Sequence, residues 1–195
     1  MLIAISGSQG SGKSTLLKKI EEAGYPVIER KTSRSILTDW NVTLDQINRD
    51  PELCIKFQEE ITRRKYEDER KAVLSDRLFF TERTYTDLFT YSLMNLGKFN
   101  QYHDWINQYY ETCLVHNKTY SDIFYIPSGQ FKIEVDGIRG SNPLYGTMID
   151  ITMKHYLEQM TPLTNEIKYI NMSDINERFD FVIQSVKELI KHNQK

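Results

Sequence analysis

The sequence has little cysteine and no long apolar run. Its 195 residues include only Cys54 and Cys113, which are too few and too far apart for a disulfide framework or a zinc site. No apolar stretch approaches the length of a membrane-spanning helix, and the N-terminus lacks the basic region of a signal peptide. We therefore expect a soluble protein of the cytoplasm, with reduced thiols and no membrane partner.

An excess of one charge is also missing. The 25 basic and 27 acidic residues leave a formal net charge of −2. A dedicated nucleic-acid binder usually has a basic excess, so the charge balance gives no support to DNA or RNA as the main ligand, although a local basic groove stays open. The four histidines are scattered without the spacing of metal ligands.

Residues 2–15 hold the most informative motif. Gly7, Gly12, Lys13 and Ser14 fit G-x-x-x-x-G-K-[ST], after a short apolar run and before an amphipathic helical pattern. In this context the backbone N–H groups converge at a helix N-terminus and bind phosphate. Lys13 can reach the β- and γ-phosphates, and the Ser14 hydroxyl can ligate Mg²⁺. We predict that ATP and Mg²⁺ bind at Gly7, Ser8, Gln9, Gly10, Ser11, Gly12, Lys13, Ser14 and Thr15.

Strand and helix patterns alternate along the chain. Predicted strands lie at 2–6, 26–29, 78–82, 123–127 and 167–172. Predicted helices lie at 13–23, 51–73, 84–96, 100–116, 147–159 and 175–192. The alternation predicts a single α/β domain over residues 1–195, with a central parallel sheet of about five strands, helices on both faces, and the ligand at the carboxyl ends of the strands.

The helix at 51–73 opens with Pro51 after a predicted N-cap, Asp50. Its apolar positions recur at Leu53, Phe57 and Ile61. We interpret its charges as a solvated surface: Glu59, Glu60, Arg63, Arg64, Glu67, Asp68 and Glu69.

A phosphate loop alone does not identify the reaction. The guanine-reading N-K-x-D of GTPases is missing, and so is the apolar strand ending in Asp-Glu that motor ATPases usually carry. The third predicted strand ends instead in Glu82-Arg83-Thr84. Glu82 can hold Mg²⁺ or a metal-bound water, and Arg83 can clamp an acceptor or a transferring phosphoryl group. A surface ion pair is the alternative.

This motif resembles the Glu-Arg-Ser motif of deoxyribonucleoside kinases and the Asp-Arg motif of thymidylate kinases. The chain thus resembles small nucleoside and nucleotide kinases with the P-loop NTPase fold over about residues 2–172. The spacing of Glu29, Arg34, the charged helix, Asp87 and Tyr91 resembles more closely a group that includes the nicotinamide riboside kinase domain and many phage proteins. The cytoplasm would be the host's if a phage encodes the chain.

The resemblance implies a kinase that moves the γ-phosphate of Mg-ATP to a nucleoside or nucleotide, preferably a deoxynucleotide. Lys13, Arg83, Glu29, Glu82 and Arg139 are the implied catalytic residues. Glu29 would act as base, or else only organise Arg34 or Arg83. Three further kinds of acceptor or activity stay open: a hydroxymethylated pyrimidine in phage DNA, nicotinamide riboside, and ATP binding as a switch without transfer. A homodimer also stays open.

Substrate contacts are expected from Arg34, Asp87 and Tyr91. Arg34 could instead be an exposed helix arginine, and Asp87 a carboxylate favoured by a helix N-terminus. Aromatic side chains that could stack on a base, or simply fill the core, are Tyr85, Tyr91, Tyr102, Trp105 and Tyr109.

Residues 128–146 are rich in turn formers, and we expect them to form a lid that brings Arg139 to the phosphates. A hairpin without a catalytic role is the alternative, because Phe131, Ile133 and Val135 alternate as in a strand.

Overall fold

The computed structural model describes residues 1–28, 33–75, 77–129 and 143–193. Its strands are β1 (Leu2–Gly7), β2 (Phe79–Glu82), β3 (Asp122–Ile126) and β4 (Ile167–Tyr169). Its helices are α1 (Lys13–Glu22), α2 (Ser33–Trp40), α3 (Leu44–Arg49), α4 (Pro51–Val73), α5 (Tyr85–Leu96), α6 (His103–Asn117), α7 (Pro143–Met160) and α8 (Ile175–Asn193), with a 3₁₀ turn at Asn100–Tyr102.

The four strands form one parallel sheet in the order β2-β1-β3-β4. The predicted parallel sheet is confirmed, with four strands rather than about five. The expected strand at 26–29 is reduced in the described residues to an isolated bridge between Val27 and Phe80. Pro26 accepts a hydrogen bond from Phe80 N but has no N–H of its own to donate, which limits pairing at this edge.

Helices cover both faces of the sheet, as the alternating pattern predicted. Along β1, Leu2 and Ala4 belong to the core shared with α4, α5, α6 and α7. Ile3 and Ile5 face the opposite way and belong to the core shared with α1 and α8. All residues of β1 are buried, as in a parallel sheet covered on two sides.

Helix α4 keeps its predicted bounds. Asp50 caps it, with Oδ1 accepting from the backbone N–H groups of Glu52 at 3.0 Å and Leu53 at 3.1 Å. The interpretation of its charges as a solvated face is wrong for Glu69, which is only 3% exposed. Glu69 follows the apolar series Leu53, Phe57 and Ile61 in steps of four, so that helical geometry carries it into the core.

Other element ends differ from the sequence prediction. The helix expected at 100–116 begins with the 3₁₀ turn, because Tyr102 N bonds to the carbonyl of Phe99 three residues earlier. Helix α7 begins at Pro143, which suits a first helical turn. Helices α2 and α3 were not expected. Within the four described ranges, no helix is both long and apolar enough to cross a membrane.

Candidate active site

The loop between β1 and α1 has the backbone that its glycines allow. Gly10 and Gly12 have φ angles of 76° and 90°, and Gly12 is the N-cap of α1. A Cβ at Gly7 would lie 2.4 Å from the carbonyl oxygen of Ile126, so glycine lets the ends of β1 and β3 approach each other. The loop therefore opens toward the N-terminus of α1, where backbone N–H groups attract anions.

Lys13 places its cation within this loop. Its buried side chain donates from Nζ to the Ser8 carbonyl at 2.7 Å and to Ser11 Oγ at 3.3 Å. Ser8 Oγ is buried and lacks a hydrogen-bond partner among the described residues. An anion bound in the loop would give this hydroxyl an acceptor, so the loop fits a phosphate group.

Ser14 and Glu82 bring two oxygen ligands together beside the loop. Ser14 Oγ donates to Glu82 Oε2 at 3.2 Å across the gap between α1 and the end of β2. No group of three or more His, Cys, Asp or Glu that could hold a metal occurs in the part of the chain that is described. Mg²⁺ in nucleotide sites usually takes one or two protein oxygens and completes its shell with phosphates and water. Ser14 and Glu82 fit that type of site.

The turn from β2 to α5 presents Arg83 to the same edge of the sheet. Arg83 has a φ of 67°, which is unusual for a residue with a side chain, and its N–H donates to the Ile5 carbonyl at 2.8 Å. Its guanidinium lies 3.8 Å from Asp87 Oδ1 and over the ring of Tyr91. Burial opposes its charge, but Tyr91, Asp87 and Glu82 outweigh this effect and raise the pKa of Arg83 above its usual value.

Asp87 is fully buried, and its two carboxylate oxygens differ in their hydrogen bonding. Oδ2 accepts from Ser6 Oγ at 2.7 Å and from the N–H and Oγ1 of Thr84 at 2.8 and 2.6 Å, and so caps α5. Asp87 Oδ1 and Arg83 Nη1 form an ion pair at 3.8 Å, which is too long for a hydrogen bond, and the Tyr91 hydroxyl has no close hydrogen-bond partner among the described residues. These atoms keep hydrogen-bonding capacity that a bound ligand could use.

The remaining predicted residues are distributed as follows. Arg34 lies in the first turn of α2 and is exposed. Glu29 and Arg139 lie outside the described residues, as does most of the expected lid at 128–146. Tyr85 and Tyr109 are buried in the core, where Tyr109 stacks on Trp105 with ring centroids 4.7 Å apart.

Arg178 was not identified from the sequence. It is fully buried in α8, and its guanidinium donates to the Ser11 carbonyl at 2.9 Å and to the Met172 carbonyl at 2.7 Å. Burial lowers the pKa of Arg178. It ties the phosphate loop to the segment after β4. A signal was available, because position 178 lies on the apolar face of α8, between Ile175 and Val182.

Comparisons with known proteins agree with this fold. Residues 2–178 match a family model described as AAA domain. The deoxyadenosine kinase of M. mycoides with bound dATP is similar in structure, with a TM-score of 0.68 at 16% identity over 96% of this chain and 100% of that one. The NadR protein in complex with NR gives a TM-score of 0.69 at 15% identity, over 96% of this chain and 49% of that one. No curated protein matches the sequence.

Proposed function

Because the chain belongs to the AAA domain family and has the fold of P-loop kinases, we propose that it is a phosphotransferase. It moves the γ-phosphate of Mg-ATP to a nucleoside or nucleotide, preferably a deoxynucleotide. The observation that carries this proposal is the cluster of Arg83, Asp87 and Tyr91 beside the phosphate loop, in which Arg83 and Asp87 approach each other only to 3.8 Å and the guanidinium lies over the Tyr91 ring. The register of the sheet supports the proximity of the β2–α5 turn to the phosphate loop, since Ile5 near the end of β1 pairs with Glu82 at the end of β2.

The role proposed for each residue follows from its position relative to the phosphate loop. The loop N–H groups, Lys13 and Ser8 Oγ bind the β- and γ-phosphates. Ser14 and Glu82 hold Mg²⁺, which supplies charge neutralisation of the phosphates when bound. Arg83 stabilises the negative charge that develops on the transferring group, and its planar fork suits phosphate oxygens. Such a site acts through positioning and electrostatics, as phosphoryl transfer requires.

We assign acceptor binding to Asp87 and Tyr91, which lie on α5 next to the β2–α5 turn. Asp87 Oδ1 can accept one hydrogen bond from an acceptor, and the Tyr91 hydroxyl can donate or accept another. Arg34 as a second clamp, Glu29 as the base toward the acceptor hydroxyl, and Arg139 on a lid at 128–146 complete the proposal. The deoxyadenosine kinase of M. mycoides, with a similar fold, was also determined with the products dCMP and dCDP bound, which supports a deoxynucleoside or deoxynucleotide in this role.

Two features favour transfer over ATP hydrolysis by a motor or a switch. None of the four described strands ends in the Asp-Glu pair typical of motor ATPases. A buried carboxylate, Asp87, and a partly exposed arginine, Arg83, which approach each other only to 3.8 Å, are also well placed to bind a second ligand beside ATP.

The test is an acceptor panel with γ-³²P-labelled ATP. The panel contains deoxynucleosides, deoxynucleoside monophosphates, nicotinamide riboside and duplex DNA with hydroxymethyluracil, with product separation by thin-layer chromatography. We expect label in a deoxynucleotide product. Label in nicotinamide riboside phosphate or in DNA would replace the proposed acceptor, and release of inorganic phosphate alone would contradict transfer.

A further inference from the structure

A buried ion pair lies directly beneath the turn that carries Arg83. Lys65 and Glu69, four residues apart in α4, are 2% and 3% exposed, and Lys65 Nζ contacts Glu69 Oε1. Buried charges lose their hydration, and apolar residues of similar size often stabilise a core equally well. The site proposed above assigns no role to this pair.

The contacts of Lys65 point to the turn. Its Nζ donates to the carbonyls of Arg83 at 3.0 Å and Glu82 at 3.3 Å, and approaches Thr81 Oγ1 at 3.4 Å. These two carbonyls belong to the peptide groups on either side of the Arg83 Cα. Lys65 therefore holds both peptide planes that define the backbone conformation of Arg83.

Glu69 holds Lys65 and anchors it to the sheet. Its Oε1 also accepts from Thr81 Oγ1 at 2.7 Å, and its Oε2 accepts from the hydroxyl of Tyr120 at 3.2 Å. The ammonium group also faces the rings of Tyr85 and Tyr120, with centroids 5.4 and 5.7 Å away. Buried and bonded on several sides, the pair has little freedom to move.

The conformation of Arg83 needs such support. A φ of 67° brings Cβ close to the following carbonyl in a residue other than glycine, and such conformations persist only when their surroundings enforce them. Glycine would relieve the strain but would remove the guanidinium. A cation bonded to both flanking carbonyls fixes the turn while the side chain of Arg83 stays in the site.

We propose that Lys65, held by Glu69, is a positioning residue that fixes the turn so that Glu82 meets Ser14 and Arg83 meets the transferring group. This inference rests on the proposed function. Lys65 touches neither nucleotide nor acceptor and acts through the backbone of Glu82 and Arg83.

The test variant is Lys65→Met with Glu69→Gln, which removes both charges and keeps an acceptor oxygen for Thr81 and Tyr120. Lys65→Met alone would leave the buried Glu69 charge without its partner and could unfold the protein. Thr62→Val is the matched control, since Thr62 is a buried polar residue of the same helix that bonds to Tyr109 at 2.6 Å.

Two readouts separate this inference from the proposed function. In the transfer assay, we expect kcat of the pair variant to fall about 30-fold or more, with little further loss when Arg83→Ala is also present. In calorimetry with AMP-PNP, we expect Mg²⁺ to tighten binding to the wild type and to Thr62→Val but not to the pair variant, while affinity without Mg²⁺ stays within about twofold.

A wild-type kcat in the folded pair variant, or losses that multiply in the Arg83→Ala background, would overturn the positioning role. If no acceptor is phosphorylated by the wild type, the proposed function fails, and the calorimetry alone decides the role of Lys65. Equal tightening by Mg²⁺ in the pair variant and the wild type would then overturn it.

Discussion

The phosphate loop and the β2–α5 turn lie at the ends of two neighbouring strands, and both contain residues with positive φ. In the loop these residues are Gly10 and Gly12, at 76° and 90°. In the turn the residue is Arg83, at 67°. Glycine adopts such angles without a clash of Cβ, so the loop reaches them without strain, while Lys13 and Arg178 add bonds to its Ser8 and Ser11 carbonyls.

The turn adopts a similar positive φ at Arg83, whose side chain belongs to the proposed site. Its shape depends on contacts from elsewhere, namely the bonds from Lys65 to the carbonyls of Glu82 and Arg83. The comparison shows that a positive-φ conformation can be encoded locally by glycine or enforced by a buried side chain that is distant in sequence. Enforcement by other side chains is required where the side chain of the strained residue is itself needed in the site, because glycine would remove it.

The largest effect is expected in the loop. Lys13→Met should still fold, because the glycines keep their φ angles without the bonds from Lys13 to Ser8 and Ser11. It should lose phosphoryl transfer by about 10³-fold or more, since the cation on the β- and γ-phosphates is gone. Transfer rates and circular dichroism of the two proteins provide the check. Undiminished turnover in a folded Lys13→Met protein would contradict the assignment of the loop.

The turn is expected to be sensitive to the shape of its side chain as well as to its charge. Arg83→Lys should lower kcat nearly as much as Arg83→Ala, by about 10²-fold, because the planar fork binds phosphate oxygens in a way that an ammonium group does not. A thermal melt of each variant must accompany the assay, since Arg83 also approaches Asp87 at 3.8 Å. Recovery of activity with lysine would reduce Arg83 to a generic positive charge.

Gly12→Ala tests the local encoding of the loop. A Cβ at a φ of 90° is strained by about 1–2 kcal/mol, so the loop should shift and ATP affinity should fall roughly tenfold. Calorimetric titration with ATP measures the loss, and Gly24→Ala, also at positive φ but with no atom near its Cβ, is the control for strain remote from the loop. Equal ATP affinity in wild type and Gly12→Ala would show that the loop is held by other contacts.

Arg83→Gly tests the removal of strain from the turn and has the smallest expected effect. Relative to Arg83→Ala it should be more stable by about 1 kcal/mol, because glycine relieves the strain at φ 67°. Urea denaturation of the two variants gives the difference. A less stable Arg83→Gly protein would mean that the turn stores no strain.

The difference between the regions also explains how far the sequence could be interpreted. The loop was predictable because glycines, Lys13 and Ser14 occur at fixed spacing between a strand and a helix. At the turn, Glu82 and Arg83 could be identified from their residue types, but the backbone of Arg83 could not, since arginine gives no local sign of positive φ.

Buried polar residues were the main errors at the site, because Lys65 and Arg178 were not identified and Glu69 was interpreted as part of a solvated surface. Lys65, Glu69 and Arg178 all continue the apolar series of their helices, and a charge at such a position indicates a buried, bonded side chain. Helical spacing could have identified all three. The short α3 also carried a signal, because Thr43 and Gln46 form a capping box at its start. Among the described residues, the predicted strand at 26–29 is reduced to one bridge, which fits Pro26, a residue that cannot donate to a sheet.

The stoichiometry of ATP consumption in a single turnover tests the central claim most directly. The proposed site predicts that each ADP formed is matched by one γ-phosphate in the deoxynucleotide product, and that ADP formation depends on the acceptor. Lys13→Met and Arg83→Lys should lower both products in parallel. ADP formation at the same rate without any acceptor, with all the label in inorganic phosphate, would contradict the account.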